Sequence, residues 1–359
     1  MNMNLSVDTT ATLKQAWLGI QKAKPGIRIR DAADALGCSE AELLVTTVGD
    51  YTTRLSGDWT KLLTRLPELG RVMSLTRNES CVLEHKGSFQ KIDIMGELPM
   101  AMATVIGPIE SRVFFKAWKF GFAVRQQSHH GLMQSLQFFD AAGNAITKIF
   151  LQQPIGNKAG SNQDAFDRLV ADFTSDDQSK EIVTATVNEP FSKSIDEVDH
   201  QELLNDWSSM KDTHEFFGML RKHQVNRLDA VVLAKNRFSH QIKVESLRLL
   251  LEKAAATKLP IMIFAGNRGN LQIHQGKVQT IRVMDQWLNV LDPDFNMHLR
   301  EDQIASVWVV RKPTTDGVVT GIEVFDEKKN MIVQFFGLRK PGIAELEGWR
   351  KLVDELPIA

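Results

Sequence analysis

Residues 139–150 read FDAAGNAITKIF, and residues 325–336 read FDEKKNMIVQFF. In each stretch a short segment from Asp to Asn separates two apolar runs, which is the pattern of a β-hairpin. The predicted strands cover 132–139, 145–151, 318–325 and 331–338, and the turns cover 140–144 and 326–330. Because the same hairpin occurs twice, we expect the fold to be duplicated.

The repetition extends over most of the chain. Near the start of each half, Leu13, Trp17 and Ile20 align with Leu203, Trp207 and Met210. Farther along, the aligned residues are His85, Gly87, Gln90, Ile92 and Met95 with His274, Gly276, Gln279, Ile281 and Met284. Two copies with so long a period indicate a duplicated domain and not a solenoid of short repeats.

Each half begins with helical patterns and continues with short runs typical of strands. In the first half, Ser39 and Glu42 have the spacing of a capping box at the start of a helix. Helices that precede a series of strands predict an α+β fold with a large, mainly antiparallel sheet in each half. We place the domains at residues 1–176 and 177–359, because the polar stretch 175–180 is the best boundary candidate.

Composition narrows the class of protein. The chain has 359 residues, of which 43% are hydrophobic and 24% charged, and its net charge is −1, so no general basic field attracts nucleic acid. Cys38 and Cys81 cannot form a disulfide framework. The first residues lack the pattern of a signal peptide, and no run approaches the roughly 20 apolar residues of a membrane span. We expect a cytoplasmic protein that is not embedded in a membrane.

Common catalytic motifs are absent from the sequence. It contains no phosphate-binding GxxxxGK[ST] loop, GxSxG elbow, HExxH pair or GxGxxG turn that enters a helix. Residues 29–48 resemble a helix-turn-helix, which keeps a DNA-binding regulator as an alternative. The second helix of that segment carries acidic residues and no Arg or Lys, which disfavours contacts with phosphates.

His214 is the histidine that distinguishes the two copies, because the first copy has Lys24 at the aligned position. The spacing of the apolar residues around it, from Leu203 to Phe217, predicts an imidazole on the buried stripe of a helix. If Asp212 and Glu215 form a capping box, it lies instead in the first turn of a new helix. The surrounding Phe, Met and Trp residues suit either a hydrophobic core around a core histidine or the faces of a flat aromatic ligand.

Three motifs resemble a known family. The segments DWSSMKDTHEFFGML, ESRVFFKAW, and VWVVRKP with VQFFGLRKPG are similar to those of the bacterial haemin-degrading and haem-transport proteins encoded with outer-membrane haem receptors. The resemblance extends over nearly the whole chain and includes the duplication. It implies a cleft for haem between the two halves.

The resemblance also implies a set of site residues. It makes His214 the proximal ligand of haem iron, with a catalytic role shared by Arg112 on the distal side, and it places Phe114 near the porphyrin. Lys312, Gln334 and Arg339 match positions that contact the haem propionates or line the pocket, and cationic or donor side chains suit propionates. The aligned residues of the first half are Gln126, Lys148 and Gln153, so we expect one principal haem per chain.

The implied function is bacterial iron acquisition from imported haem. The protein would either degrade haem with oxygen or peroxide, using NADPH or NADH as external reductant, or deliver it to a haem oxygenase. An inner-membrane haem importer or a reductase are further possible partners, and no nucleic acid is expected. A cavity protein for another apolar cofactor stays open as an alternative, as does the choice between monomer and dimer.

Overall fold

The computed structural model describes residues 9–128, 131–187, 192–340 and 342–359. The first eight residues, which belong to the stretch judged not to be a signal peptide, lie outside the described residues. In the part that is described, no helix is both long and apolar enough to span a membrane.

The two halves have the same order of elements. The first half contains α1 (Thr9–Ala23), α2 (Ile29–Leu36), α3 (Glu40–Val45), β1 (Thr52–Leu55), α4 (Trp59–Thr64), β2 (Arg71–Arg77), β3 (Cys81–Ser88), β4 (Lys91–Met95), β5 (Met102–Ile106), β6 (Glu110–Phe114), β7 (Phe120–Ser128), β8 (Gly131–Phe139), β9 (Ala145–Leu151) and α5 (Gln163–Phe173). The second half contains α6 (His200–Ser209), α7 (Glu215–His223), α8 (Arg227–Leu233), β10 (Ser239–Ile242), α9 (Ser246–Thr257), β11 (Ile261–Gly266), β12 (Asn270–Gly276), β13 (Ile281–Met284), β14 (Trp287–Leu291), β15 (Phe295–Arg300), β16 (Ser306–Thr314), β17 (Gly317–Phe325), β18 (Met331–Gly337) and α10 (Glu347–Asp354). The predicted duplication and the α+β class are confirmed.

Antiparallel pairing dominates both halves. In the first half, strands pair in the order β1-β7-β8-β9-β2, and β4, β5 and β6 form a second antiparallel group. The second half repeats this with β10-β16-β17-β18-β11 and with β13, β14 and β15. The two hairpins predicted from the repeated sequence are β8–β9 and β17–β18, so both are confirmed.

The hairpin turns explain why the Asp and Asn are repeated. The Asp140 carboxylate accepts from the backbone N–H of Asn144 at 2.9 Å, and Asp326 accepts from Asn330 at 2.8 Å. In each turn the Asn side chain also donates back to the same carboxylate. A carboxylate that satisfies the turn's backbone N–H fixes the loop and therefore the register of the strands.

The chain forms two compact units that do not follow the sequence halves throughout. The first unit comprises the described residues within Met1–Thr76, His85–Asn188 and Asn267–Leu271. The second unit comprises those within Arg77–Glu84, Glu189–Gly266 and Gln272–Ala359. Each unit therefore includes a short segment from the opposite half of the sequence. The boundary predicted near residue 176 stays a prediction.

Asn78 and Asn267, which are aligned in the two halves, anchor these short segments. Asn78 donates to the carbonyl of Ile332 at 2.7 Å, and Asn267 donates to the carbonyl of Ile146 at 2.8 Å. Each side-chain oxygen accepts from the backbone N–H groups two and three residues later. Ile146 and Ile332 are themselves aligned, so the duplication is visible in individual hydrogen bonds.

The helix-turn-helix-like segment is packed into its own unit. Ser39 and Glu42 form the predicted capping box, with hydrogen bonds of 3.2 and 2.8 Å. All residues of α3 except Glu42 are buried, and Glu40 forms an ion pair with Lys148. A helix that reads DNA must expose its side chains to a groove, so α3 does not support the DNA-binding alternative.

Candidate functional site

The connection between α6 and α7 is a tight turn held by two carboxylates. Helix α6 ends at Ser209, and Met210 adopts an extended conformation. Asp212 accepts from the backbone N–H of His214 at 2.7 Å, and Glu215 accepts from the backbone N–H of Lys211 at 2.9 Å. Asp212 and Glu215 therefore do not form a capping box, because each accepts from a different backbone N–H than that motif requires. Both carboxylates nevertheless stabilise the start of α7.

His214 lies at the N-cap of α7, and its side chain is 95% exposed. The prediction that the imidazole lies on the buried stripe of a helix is wrong, because α6 ends before the stripe reaches His214. The exposure also excludes a core histidine. The alternative position, at the start of a new helix, is confirmed.

Asp212 also orients the imidazole. Its Oδ1 atom lies 2.6 Å from Nδ1 of His214. The backbone N–H of His214 lowers the pKa of Asp212, with the imidazole and Arg339 adding to the effect. An ionised carboxylate only accepts hydrogen bonds, so Nδ1 carries a proton and Nε2 is the ring nitrogen left for a ligand. This is the arrangement in which metal-binding histidines occur.

Most of the aromatic and sulfur side chains near His214 belong to the core. Trp207 is fully buried, stacks on Phe238 at 5.4 Å between ring centroids and meets Phe216 edge to face at 4.7 Å. Met210 and Met219 are buried in the same cluster. Of the two phenylalanines, only Phe217 is exposed. The interpretation of this group as the lining for a flat ligand is wrong for every member except Phe217.

A buried ionic cluster lies beneath α7. Glu323 is completely buried and accepts two hydrogen bonds from Arg227, at 2.7 and 2.8 Å. The ammonium of Lys312 lies 2.7 Å from the same carboxylate, and the Gln334 amide donates to it at 3.1 Å. Lys312 also lies 4.3 Å from the ring centroid of Phe216 on α7. Lys312 and Gln334 are thus brought together, and both are engaged by Glu323.

The cluster carries more positive than negative charge. Burial alone would raise the pKa of Glu323, but Arg227 and Lys312 hold that pKa well below its ordinary value. Burial lowers the pKa of Lys312 to about 8, and the charge of Arg227 acts in the same direction while Glu323 opposes it. Near neutral pH two cations therefore share one carboxylate under α7.

Arg339 lies near the same connection, in the segment after β18. Its guanidinium is 3.6 Å from Asp316, and its charge contributes to lowering the pKa of Asp212. Its Nε atom is buried and makes no hydrogen bond in the described part of the chain. The hairpin turn that holds Asp316 also contacts the α6–α7 connection, since Thr315 donates to the carbonyl of Lys211 at 3.0 Å. Arg339 and His214 therefore border one region of the second unit.

Arg112 and Phe114 belong to the other compact unit. They occupy alternate positions of β6 and so share one face of that strand, which is half-buried. Arg112 donates to the carbonyl of Ser111 at 3.1 Å and lies 3.3 Å from the Glu110 carboxylate. Their predicted roles beside His214 stay predictions.

Sequence reasoning missed Arg227 and Glu323. The sequence does contain an indication of Glu323, which lies between Ile322 and Val324 in a predicted strand. A carboxylate at such a position must be paired with a cation if it is buried. Its partner, Arg227, is 96 positions away in sequence and adjacent only in the folded chain. The role of Asp212 was considered only as a helix cap.

The fold and this region together define a class: a duplicated α+β protein with an exposed, carboxylate-paired histidine at the start of a helix. The sequence profile of the haemin-degrading HemS.ChuX domain matches this chain twice, at residues 37–173 and 224–356. The chain belongs to that family. His214 lies outside both matched segments, whereas the other predicted site residues lie within them.

Similar proteins cover the chain almost completely. The hemin transport protein HemS of Yersinia enterocolitica is 32% identical over 96% of this chain and 97% of its own length. The crystal structure of holo-PhuS, a heme-binding protein of Pseudomonas aeruginosa, matches with 38% identity and a TM-score of 0.93, over 98% of this chain and 99% of that one. ChuS, a heme-degrading enzyme of Escherichia coli O157:H7, matches with 30% identity and a TM-score of 0.88, over 97% and 99%.

Proposed function

We propose that this protein binds haem and that Nε2 of His214 is the proximal ligand of the iron. The single observation that carries the proposal is the hydrogen bond from Nδ1 of His214 to Asp212, which leaves Nε2 of an exposed imidazole as the nitrogen that faces a ligand. Imidazole is a common axial ligand of haem iron. The names of the similar proteins, which refer to haemin transport, heme binding and heme degradation, support the same ligand.

Positive charge near His214 suits the two propionates of haem. Arg339 is the proposed direct partner, because its buried Nε has no hydrogen bond in the part of the chain that is described and a propionate oxygen would satisfy it. Lys312 and Gln334 are held by Glu323, so in this proposal both support α7, and Lys312 also supplies positive charge.

Arg112 and Phe114 complete the proposed haem site. Phe114 would pack on the porphyrin, and Arg112 would stabilise negative charge that develops on the distal side during a reaction. Bound haem supplies the oxygen chemistry, while the protein contributes position and electrostatics. We propose oxidative haem degradation that releases iron, with NADPH or NADH as the external reductant.

Delivery of haem is the second candidate function, because a curated relative is named a hemin transport protein. In that role the protein would take imported haem in the bacterial cytoplasm and pass it to a haem oxygenase. A haem importer of the inner membrane or a reductase would be the further partner. Either role belongs to haem iron utilisation.

The experiment adds ascorbate, or NADPH with a reductase, to the haem-loaded protein in air and follows the Soret band. Decay that persists when catalase is present, and that slows in Arg112→Ala, supports degradation. Lys91→Ala is the matched control, because it removes a cation from β4 in the same unit. A stable Soret band together with transfer of haem to an added haem oxygenase supports delivery. Failure of the wild type to bind haem contradicts both functions.

A further inference from the structure

One face of α7 stays open to solvent for two turns beyond His214. Phe217 is 62% exposed, and Gly218 and Arg221 are also exposed. These residues follow His214 by three, four and seven positions, so all four share one face of the helix. The opposite face carries Phe216, Met219 and Leu220 and is buried in the core.

Phe217 is held in place without being covered. The guanidinium of Arg227 lies 5.4 Å from its ring centroid, a cation–π distance, while most of the residue is exposed. The neighbouring Phe216 is buried and is contacted by the same guanidinium at 4.9 Å. A fixed, exposed aromatic ring beside a predicted metal ligand provides an apolar surface for a flat ligand.

Gly218 adds no side chain to this exposed face of α7. A Cβ atom placed on it would meet no other atom within 4 Å, so the packing of the protein does not require glycine here. Its backbone is not left-handed either, and glycine within a helix is less favourable than alanine. Folding therefore does not account for glycine at this position. A side chain there would project into the space next to His214 and Phe217.

Arg221 adds a cation at the far end of the face. Its guanidinium makes no ion pair or hydrogen bond within the described ranges of the chain. Seven residues of α-helix separate it from His214, a distance of about 10 Å along the axis. A planar macrocycle with peripheral carboxylates, centred near His214, would place a carboxylate within reach of this guanidinium.

We propose that His214, Phe217, Gly218 and Arg221 form a dock for the porphyrin ring that works without iron, so iron-free porphyrins bind at the same face as haem. The dock deepens the proposed function and rests on it. Phe217 contacts the macrocycle, Arg221 pairs with a propionate, and Gly218 is the positioning residue that lets the ring approach α7. Only His214 depends on the metal.

The test compares equilibrium titrations with haemin and with iron-free protoporphyrin IX. Gly218→Leu is expected to weaken both ligands at least tenfold, about 1.4 kcal/mol. Phe217→Ala and Arg221→Gln weaken both to a smaller degree, and the effect of Arg221→Gln diminishes at high salt. His214→Ala weakens haemin but leaves protoporphyrin binding within a factor of about two of wild type, near 0.4 kcal/mol.

Gly218→Ala separates docking from folding. Alanine should raise the melting temperature, because it favours the helix, and yet lower the affinity for both porphyrins. The matched control is Gly19 in α1, a helical glycine that likewise has no atom within 4 Å of a Cβ position. Gly19→Ala and Gly19→Leu should leave both affinities unchanged.

The results distinguish the dock from the proposed function. Wild-type binding of both porphyrins that is unchanged in Gly218→Leu overturns the dock alone. A loss in Gly218→Leu that affects haemin but not protoporphyrin also overturns it, because the substitution would then disturb only iron ligation. Binding of neither porphyrin by the wild type overturns the proposed function.

Discussion

Oδ1 of Asp212 lies 2.6 Å from Nδ1 of His214 and 2.7 Å from the backbone N of the same residue. One carboxylate oxygen thus fixes both the backbone at the start of α7 and the orientation of the exposed imidazole. A histidine held in this way is oriented before any ligand arrives.

Asp212→Asn should weaken haemin binding by roughly 10- to 100-fold, the usual range for loss of a carboxylate behind a metal-binding histidine. Asparagine retains the size of the side chain but loses the charge. The measurement is a haemin titration followed at the Soret band. Asp199→Asn is the control, since Asp199 caps α6 and asparagine caps helices equally well. An affinity equal to that of wild type would show that Asp212 does not act on the ligand.

Glu323→Gln should destabilise the second unit by about 3 kcal/mol, because it leaves the buried Lys312 and the partly buried Arg227 without a counter-charge. Unfolding in urea measures this change. The exposed Glu327, on the turn between β17 and β18, provides the control Glu327→Gln. Equal stability of the two variants would contradict the role of Glu323 as the anion that holds the cluster together.

Lys312 should make the free energy of unfolding depend on pH in the alkaline range. Its folded pKa, about 8, lies below the ordinary 10.5, so the folded chain binds this proton less tightly than the unfolded chain does. The contribution of Lys312 to the free energy of unfolding therefore rises as the pH increases from about 8 to 10.5. The same contribution is lost when the pH falls from 10.5 and passes through 8. The stability of wild type relative to Lys312→Met should increase over this window, by an amount on the order of 2 kcal/mol.

Urea unfolding of both proteins at pH 7, 9 and 10 measures this difference. The Lys312→Met variant keeps the two hydrogen bonds between Arg227 and Glu323, so it should remain folded. A difference that is constant with pH would mean that the buried ammonium titrates normally.

Asn78→Ala and Asn267→Ala should destabilise the protein by similar amounts, about 2 kcal/mol each. Each substitution removes a side-chain oxygen that accepts from two backbone N–H groups. It also removes a side-chain amide that donates to an isoleucine carbonyl. The free energy of unfolding of the two variants can be compared directly. A large effect at one position and none at the other would mean that the two segments are not equivalent.

Local patterns predicted a large part of the fold. The Asp140–Asn144 and Asp326–Asn330 turns and the cap formed by Ser39 depend on neighbours within a few residues, so the sequence alone identifies them. The exchange of short segments at Asn78 and Asn267 depends on pairing between distant residues, and no local pattern reveals it.

The contacts of the predicted site residues were harder to predict than the local turns and caps. The helical spacing from Leu203 to Met210 predicts that the same stripe continues to His214, but the chain turns after Ser209 and exposes the imidazole. Lys312 was matched to propionate contacts, but Glu323 from the neighbouring strand engages its ammonium. The exposure of His214 depends on where α6 ends, and the contact of Lys312 depends on which strand lies beside β16. The spacing of residues in the sequence predicts neither.

The most direct test of the account is a haemin titration of wild type and His214→Ala at the Soret band. His200→Ala is the matched control, because His200 is an exposed histidine at the start of α6 in the same unit. The account predicts saturation near one haem per chain and a histidine-ligated spectrum in wild type and His200→Ala, both lost in His214→Ala. An identical spectrum and affinity in all three proteins would contradict ligation of haem iron by His214.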